Sequence, residues 1–179
     1  EKGPDGKYHS WPSNAHESFW KVKNPATDLA AMRFIFPAAT EAARILGVDD
    51  DLRAVWQERL DNLASYPINP ANGAILPYQL KDGEKMEWRN AENPELFPFG
   101  VFPLMRLDTP DFDLARKTFQ ARKNVNAYGW TTDSIAAARL GMAQAQAKDV
   151  PPQLLGVEEL LPLHAEYYQV YPCGLQDYY

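Results

Sequence analysis

Apolar and polar residues follow each other along this chain mainly with the period of an α-helix. Between Thr27 and Leu46 the polar residues fall on one narrow stripe, which predicts a helix buried on most sides. Thr27 or Asp28 is the expected cap at its start, and Gly47 the expected left-handed residue after its end. The stretch from Asp51 to Leu63 is apolar on one face only and predicts a half-exposed helix. The two segments together predict a helical hairpin with an inner and an outer member.

Helical spacing returns after residue 110. It predicts a helix from Pro110 to about Lys123, a second from Thr131 or Thr132 to about Lys148, and a further one over 154–164. The many alanines of the second helix would let neighbouring helices approach closely, as an inner helix requires. Repeated helix pairs of this kind predict an all-α fold.

The middle of the chain, from Ser65 to Pro110, is rich in proline and breaks the helical pattern. Within it, Lys81-Asp82-Gly83 predicts the turn of a short β-hairpin. A long irregular segment inside a compact domain is usually functional.

The stretch from Trp11 to Trp20 combines aromatic side chains with a single carboxylate, Glu17. Aromatic faces stack on the C–H face of a pyranose, and a carboxyl enclosed by apolar rings has its pKa raised. A general acid that cleaves a glycosidic bond needs such an environment. The alternative is that Trp11 and Trp20 anchor the core and that Glu17 is a solvated loop residue.

The amino-acid composition and the net charge argue against several classes of binding partner. The chain has 179 residues, enough for one domain with a sizeable core, and 45% of them are hydrophobic. Its net charge of -6 argues against nucleic acid or an anionic membrane as a partner. The three histidines and the lone Cys173 show no metal-ligand spacing, so no metal site and no cofactor are expected.

Four segments, taken in order, resemble the catalytic domain of the six-hairpin glycosidases, and within them the α-L-fucosidase family numbered 95 among glycoside hydrolases. Pro12-Ser13-Asn14-Ala15-His16-Glu17 resembles the Ser-Pro-Glu segment that carries the general acid of that family. The other three are similar to its next helix and turn, to its Gly-x-x-x-Glu-Trp loop, and to its later helix, Gly-Trp-Ser/Thr turn and helix. They are residues 24–49, Gly83-Glu84-Lys85-Met86-Glu87-Trp88, and 110–140 with Tyr128-Gly129-Trp130-Thr131.

The resemblance implies an all-α (α/α)6 toroid of helical hairpins, of which residues 1–179 would be a fragment of one catalytic domain that continues beyond both ends. It implies a periplasmic or secreted glycoside hydrolase that removes a terminal, fucose-like sugar from an oligosaccharide or polysaccharide with inversion. Glu17 would be the general acid, and the base would lie outside this chain, in the remainder of the same polypeptide. The residues expected to contact the sugar are Trp11, Asn14, His16, Trp20, Glu87, Trp88 and Trp130.

One departure leaves the identity of the sugar open. Where the fucosidases carry histidines that line the sugar pocket, residues 93–100 contain none. Two other readings of the chain also remain. It could be another α-toroid carbohydrate enzyme, a lyase or an epimerase, with a Tyr or His as base. It could instead be a non-catalytic helical domain that binds a glycan or a protein through its aromatic loops.

Overall fold

The structure is a computed structural model and describes residues 1–88, 90, 92–125 and 132–141. Two short strands open the chain, and four α-helices and a 3-10 helix follow them. The strands are β1 (Ser13–Ala15) and β2 (Phe19–Val22); the helices are α1 (Ala26–Leu46), α2 (Asp50–Asp61), the 3-10 helix Pro94–Leu96, α3 (Phe112–Ala121) and α4 (Asp133–Arg139). The helix expected over 154–164, and the part of the 131–148 helix beyond residue 141, lie outside the described residues.

The predicted all-α toroid is wrong. The described residues form a mixed α/β fold, in which β1 and β2 pair as an antiparallel sheet and long irregular segments separate the helices. The strands occupy the aromatic stretch from Trp11 to Trp20, which was expected to be an irregular loop. Phe19 and Val22 of β2 are buried while the two residues between them are exposed, so the hairpin covers a small core of its own.

Helix α1 begins and ends nearly where its pattern predicts. Gly47 adopts the left-handed conformation with φ 67°, and its N–H donates to the carbonyl of Ala43. The N-terminal cap was predicted wrongly, because the capping position is Pro25 and no side chain caps the helix. Asp28 instead accepts hydrogen bonds from the hydroxyls of Ser10 and Ser13, the latter at 2.6 Å. Its carboxylate therefore ties the segment before β1 to the helix.

The hairpin of α1 and α2 lies against the rest of the chain at one end only. In α1 the buried residues are Ala26, Thr27, Leu29, Ala30 and Ala43, and α2 has no buried residue. The prediction that α1 is buried on most sides is thus wrong within the described structure, because its apolar side chains face few neighbours. Neither helix, nor any other helix among the described residues, is long and apolar enough to cross a membrane.

The main core, here called the Phe99 core, lies between the 3-10 helix, α3 and α4. Its members are buried apolar side chains that come from separate parts of the sequence: Ala26, Ile75, Leu96, Phe99, Met105, Ala115, Phe119, Ala136, Ala137 and Leu140. Arg139 fastens α4 to this core by donating through Nη1 to the carbonyls of Phe99 and Gly100, both at 2.9 Å.

A buried ion pair joins α3 to α4 beneath the Phe99 core. The Arg122 Nε atom lies 2.5 Å from Asp133 Oδ2, and both side chains are fully enclosed. Burial raises the pKa of Asp133, while Arg122 and the Asn93 amide act in the opposite direction. Because each charge lacks water, the two groups depend on each other for solvation.

Candidate functional site

The described structure contains a cleft of about 950 Å³, here called the aromatic cleft. It lies between the N-terminal segment, strand β2 and the irregular residues 78–87. Two tryptophans and several charged side chains line it, among them Trp11, Trp20, Lys81, Lys85, Glu84 and Glu87. Trp11 is 45% exposed and Trp20 is 61% exposed. Exposed indole rings beside polar groups are typical of sites that bind a ligand with both apolar and polar faces.

Strand β2 presents Trp20 to solvent, while the preceding residue, Phe19, packs inside. Phe19 packs on Tyr78 and Trp88, with ring centroids 5.0 Å and 5.3 Å away. The indole Nε1 of Trp20 donates to the carbonyl of Glu17 at 3.1 Å. The ring is thereby fixed at one edge while its faces remain accessible. On Trp11, the ammonium of Lys81 lies 5.9 Å from the ring centroid, a weak cation–π contact.

A buried amide holds the walls of the cleft together. Asn24 is 3% exposed, and its Oδ1 accepts from the backbone N–H of Ser10 at 3.1 Å. Its Nδ2 donates to Gln79 Oε1 at 2.7 Å and to His9 Nδ1 at 2.8 Å. His9 must therefore carry its proton on Nε2, which lies 3.1 Å from the carboxylate of Asp5. The Asn24 side chain thus connects its own segment to two others, residues 9–10 and residue 79.

The predicted turn at residues 81–83 forms one rim of the cleft, although the strands expected on either side of it do not form. Gly83 has a positive φ of 75°, and the N–H of Glu84 donates to the carbonyl of Lys81. The Glu84 carboxylate accepts from the Lys81 N–H and from the Tyr78 hydroxyl, both at 2.9 Å. The Lys81 N–H and then the Tyr78 hydroxyl lower the pKa of Glu84. At neutral pH this carboxylate is therefore ionised and acts as a hydrogen-bond acceptor.

The structure brings only part of the predicted site together. Trp11, Trp20 and Glu87 line the aromatic cleft. Trp88 is half-buried and faces a second cavity, and Trp130 lies outside the described residues. Glu17 is exposed in the turn between β1 and β2, directly before Ser18, which lines the cleft. The sequence predicted that aromatic rings enclose this carboxyl. That prediction is wrong, because the Glu17 side chain is exposed to solvent.

Asn14 and His16, which both lie in the β1–β2 hairpin, already have structural partners. The Asn14 side chain accepts from the Lys21 N–H at 3.0 Å. His16 Nδ1 lies 2.6 Å from Glu92 Oε1, and its ring meets the edge of Phe97 at 5.5 Å. Glu92 also accepts from the hydroxyl of Ser18 at 3.0 Å. His16 is thus paired with a carboxylate, Glu92, that the sequence pattern did not single out.

Glu92 and Glu95 are the functional candidates that sequence reasoning missed. Both follow Trp88, Glu92 in an irregular stretch and Glu95 in the 3-10 helix, and each meets its surroundings through residues that are distant in the chain. No local spacing could have indicated these contacts. For metal binding, the described part of the chain contains no cluster of three His, Cys, Asp or Glu side chains suited to an ion.

No protein-family model matches the chain, and no curated protein matches it. The resemblance to the six-hairpin glycosidases therefore stays a prediction from the motifs, and the function has to be argued from the cleft itself.

Proposed function

We propose that this protein binds a carbohydrate in the aromatic cleft and hydrolyses a glycosidic bond there. The observation that carries the proposal is the placement of Trp11 and Trp20, both substantially exposed, in one cleft with amines and carboxylates. Sugars present apolar C–H faces that stack on indole rings and hydroxyl groups that bond to charged side chains. The cleft offers both kinds of contact within the space of a few sugar rings.

Hydrolysis requires a carboxyl group that can protonate the leaving oxygen. Two carboxyls of this region are candidates. Glu17 directly precedes the cleft residue Ser18, and Glu87 lines the cleft itself. Glu84 is unsuited to the acid role, because hydrogen bonds from Lys81 and Tyr78 hold it in the ionised form.

Binding is tested first, with 2′-fucosyllactose as the probe and calorimetry as the measurement. Trp20→Ala should abolish or strongly weaken binding, since the indole supplies the stacking face. Trp56→Ala is the matched control, because Trp56 lies half-buried on α2 and does not line the cleft. Equal affinity of the wild-type protein and the Trp20 variant would contradict the assignment of the cleft.

Hydrolysis is tested by the charge-removing substitutions Glu17→Gln and Glu87→Gln. If one of them is the general acid, its replacement should lower turnover of 2′-fucosyllactose by about 10²–10⁴. Turnover of fucosyl fluoride should fall much less, because fluoride leaves without needing a proton. Glu41→Gln, an exposed carboxylate on α1, is the control. Equal losses on both substrates would contradict an acid role for the residue replaced.

A non-catalytic glycan-binding domain is the second candidate, favoured by the exposure of Glu17 to solvent. A general acid is usually enclosed by apolar side chains, and Glu17 is not. This candidate predicts binding that depends on Trp20 and no release of sugar under any condition. Release that is lost with Glu17→Gln or Glu87→Gln would exclude it.

A further inference from the structure

Strand β2 carries a β-bulge on the wall of the aromatic cleft. Its register with β1 advances by three residues along β2 for two residues along β1. The extra residue breaks the alternation of a regular strand, in which successive side chains point to opposite faces. Phe19 and Val22 are both buried, and the two residues between them, Trp20 and Lys21, are both exposed. The bulge thus brings two successive side chains to the exposed wall of the cleft.

The backbone of Lys21 adopts the left-handed conformation in this bulge, with φ 55°. Glycine takes up that conformation without strain, whereas a residue with a Cβ atom is strained in it. On β1, the Asn14 Oδ1 atom accepts a hydrogen bond from the Lys21 N–H at 3.0 Å and holds the bulge. A lysine in a conformation that suits glycine indicates that the site uses the lysine side chain.

The wall formed by residues 18–23, here called the β2 wall, is positively charged. Lys21 and Lys23 line the cleft from this wall, and no carboxylate of this segment does so. In the part of the chain that the structure describes, neither of these two ammonium groups forms an ion pair or a hydrogen bond. The carboxylates that line the cleft come from its other walls: Glu1, Asp82, Glu84 and Glu87. Although the whole chain has a net charge of -6, the β2 wall therefore attracts an anionic group.

A sugar that stacks on Trp20 would direct its ring substituents towards this charge. A pyranose places a C–H face on the indole, so its equatorial groups extend past the edge of the indole ring. Lys21 is the next residue in the strand and is exposed beside it. In a hexuronic acid such as galacturonic acid, the carboxylate is an equatorial group attached directly to ring carbon C5. The Lys21 ammonium can pair with this carboxylate while the sugar ring stays stacked.

We propose that the aromatic cleft takes an acidic sugar, a uronic acid residue of a glycan, and that Lys21 is the residue that selects it. The sugar ring stacks on Trp20, and the Lys21 ammonium pairs with the sugar carboxylate. Asn14 is a positioning residue, because it holds the bulge and does not itself line the cleft. This inference rests on the proposed binding of a carbohydrate in the cleft, and it adds the class of sugar.

Tri-galacturonate and its full methyl ester form a matched pair of probes, since they have nearly the same shape and only the acid is charged. Calorimetry with the wild-type protein at pH 7 and low salt should show the acid bound about tenfold more tightly than the ester. High salt should remove most of this difference, because it screens the charges. Lactose 6′-sulfate, whose charge stands further from the ring, should bind less tightly than the acid. Equal affinities for acid and ester, or tighter binding of the sulfate, would overturn the inference.

This inference and the proposed function can fail separately. 2′-Fucosyllactose is neutral, so its binding through Trp20 tests the proposed function alone. If it binds while the acid and the ester bind equally well, the carbohydrate site stands and the selection by Lys21 is refuted. If neither 2′-fucosyllactose nor tri-galacturonate binds, both proposals are refuted.

Lys21→Gln removes the charge and keeps a long polar side chain. Its affinity for tri-galacturonate should fall about three- to tenfold, and its affinity for the methyl ester should stay unchanged. Lys117→Gln is the matched control, because Lys117 is exposed on α3 and does not line the cleft. No loss of affinity in Lys21→Gln, or the same loss for acid and ester, would contradict a bond between Lys21 and the carboxylate.

Lys21→Gly separates a role in binding from a role in the fold. Glycine relieves the strained backbone, so the melting temperature should rise while the affinity for tri-galacturonate falls as in Lys21→Gln. Asn14→Ala should weaken the binding of the acid in the wild-type protein and cause no further loss in Lys21→Gln, because it acts through Lys21. A lower melting temperature of Lys21→Gly, or additive losses in the double variant, would overturn the roles assigned to these two residues.

Discussion

The α1–α2 hairpin and the Phe99 core are both rich in apolar side chains, yet only one of them buries these side chains. Leu96, Phe99 and Phe119 are completely enclosed, whereas Ile45 and Leu46 at the end of α1 are 68% and 72% exposed. The core residues come from five stretches of the chain, residues 26, 75, 96–105, 115–119 and 136–140, which close around one another. In the hairpin the two helices have chiefly each other as neighbours.

Burial is therefore decided by the number of elements that meet at a place, and apolar composition alone does not determine it. A helix whose residues are apolar nearly all round needs neighbours on several sides. Within the described residues α1 has α2 on one side, and the 3-10 helix and β1 near its start. The contrast predicts that equivalent substitutions have very different effects in the two regions.

The largest difference is expected for phenylalanine. Phe99→Ala should lower the free energy of unfolding by about 3–5 kcal/mol, because it empties a closed site. Phe34→Ala on α1 should cost about 1 kcal/mol, since Phe34 is 41% exposed and touches mainly the ring of Phe102. Chemical denaturation of both variants measures the two values. Similar losses would show that the hairpin is packed as tightly as the core.

The two regions should also differ in how pH changes their stability, because the carboxyl of Glu95 is buried and the carboxyl of Glu41 on α1 is exposed. The folded pKa of Glu95, about 8, lies above its ordinary 4.5. Its stabilising contribution is thus complete below about pH 4.5 and is lost as the pH rises towards 8, at up to about 1.4 kcal/mol per pH unit. Glu95→Gln should remove this slope, which denaturation at pH 5, 6.5 and 8 would show.

Glu41 on α1 serves as the opposite case. Hydrogen bonds from Arg44 lower its pKa, so any contribution it makes is present at neutral pH and disappears in acid. Its exposure makes that contribution small. A Glu95→Gln variant whose stability keeps the wild-type slope would contradict the buried, protonated state of this carboxyl.

Glycine substitutions should give a smaller contrast. A Cβ added to Gly100 would lie 2.3 Å from Thr132 Oγ1 and 3.0 Å from the carbonyl of Leu96. Gly100→Ala should therefore cost about 1–3 kcal/mol through overpacking. At Gly47 a Cβ would meet nothing within 4 Å, and Gly47→Ala should cost about 1 kcal/mol from its φ of 67° alone. Thermal unfolding of both variants would rank them.

The smallest effect on stability is expected at the exposed end of α1. Ile45→Lys should change the free energy of unfolding by no more than about 0.5 kcal/mol, because the side chain is mostly in water. The same change should reduce self-association, since it interrupts an exposed apolar surface. Sedimentation velocity at several concentrations would compare it with the wild type. A large loss of stability would mean that Ile45 is covered in solution.

Local features of the fold could be predicted from the sequence, and features that join distant segments could not. The ends of α1, the glycine at residue 47 and the turn at 81–83 follow from neighbouring residues and are found as expected. The burial of α1 was predicted wrongly, because periodicity shows which side chains would be buried if partners were present. It does not show whether those partners are there.

The residues of the candidate site can be divided in the same way, into those that the sequence identified and those that it did not. The sequence pointed to Trp11 and Trp20, which do line the cleft, because several aromatic residues stand close together around a single carboxylate. The pairing of His16 with Glu92 and the burial of Glu95 depend on contacts between segments far apart. The residues next to such a carboxylate in the sequence do not indicate which distant side chains will enclose it. Electrostatic roles of this kind become visible only when the three-dimensional arrangement is known.

The Asn24 amide has a consequence for the order in which the protein folds. This amide bonds to both Ser10 and Gln79, and Gln79 is separated from Asn24 by 55 positions in the chain. A loop of that length must close before these bonds form. The chain therefore loses conformational entropy before the bonds contribute any stabilisation. We expect the cleft to assemble after the folding transition state. Replacement of Asn24 should then accelerate unfolding and leave the folding rate almost unchanged.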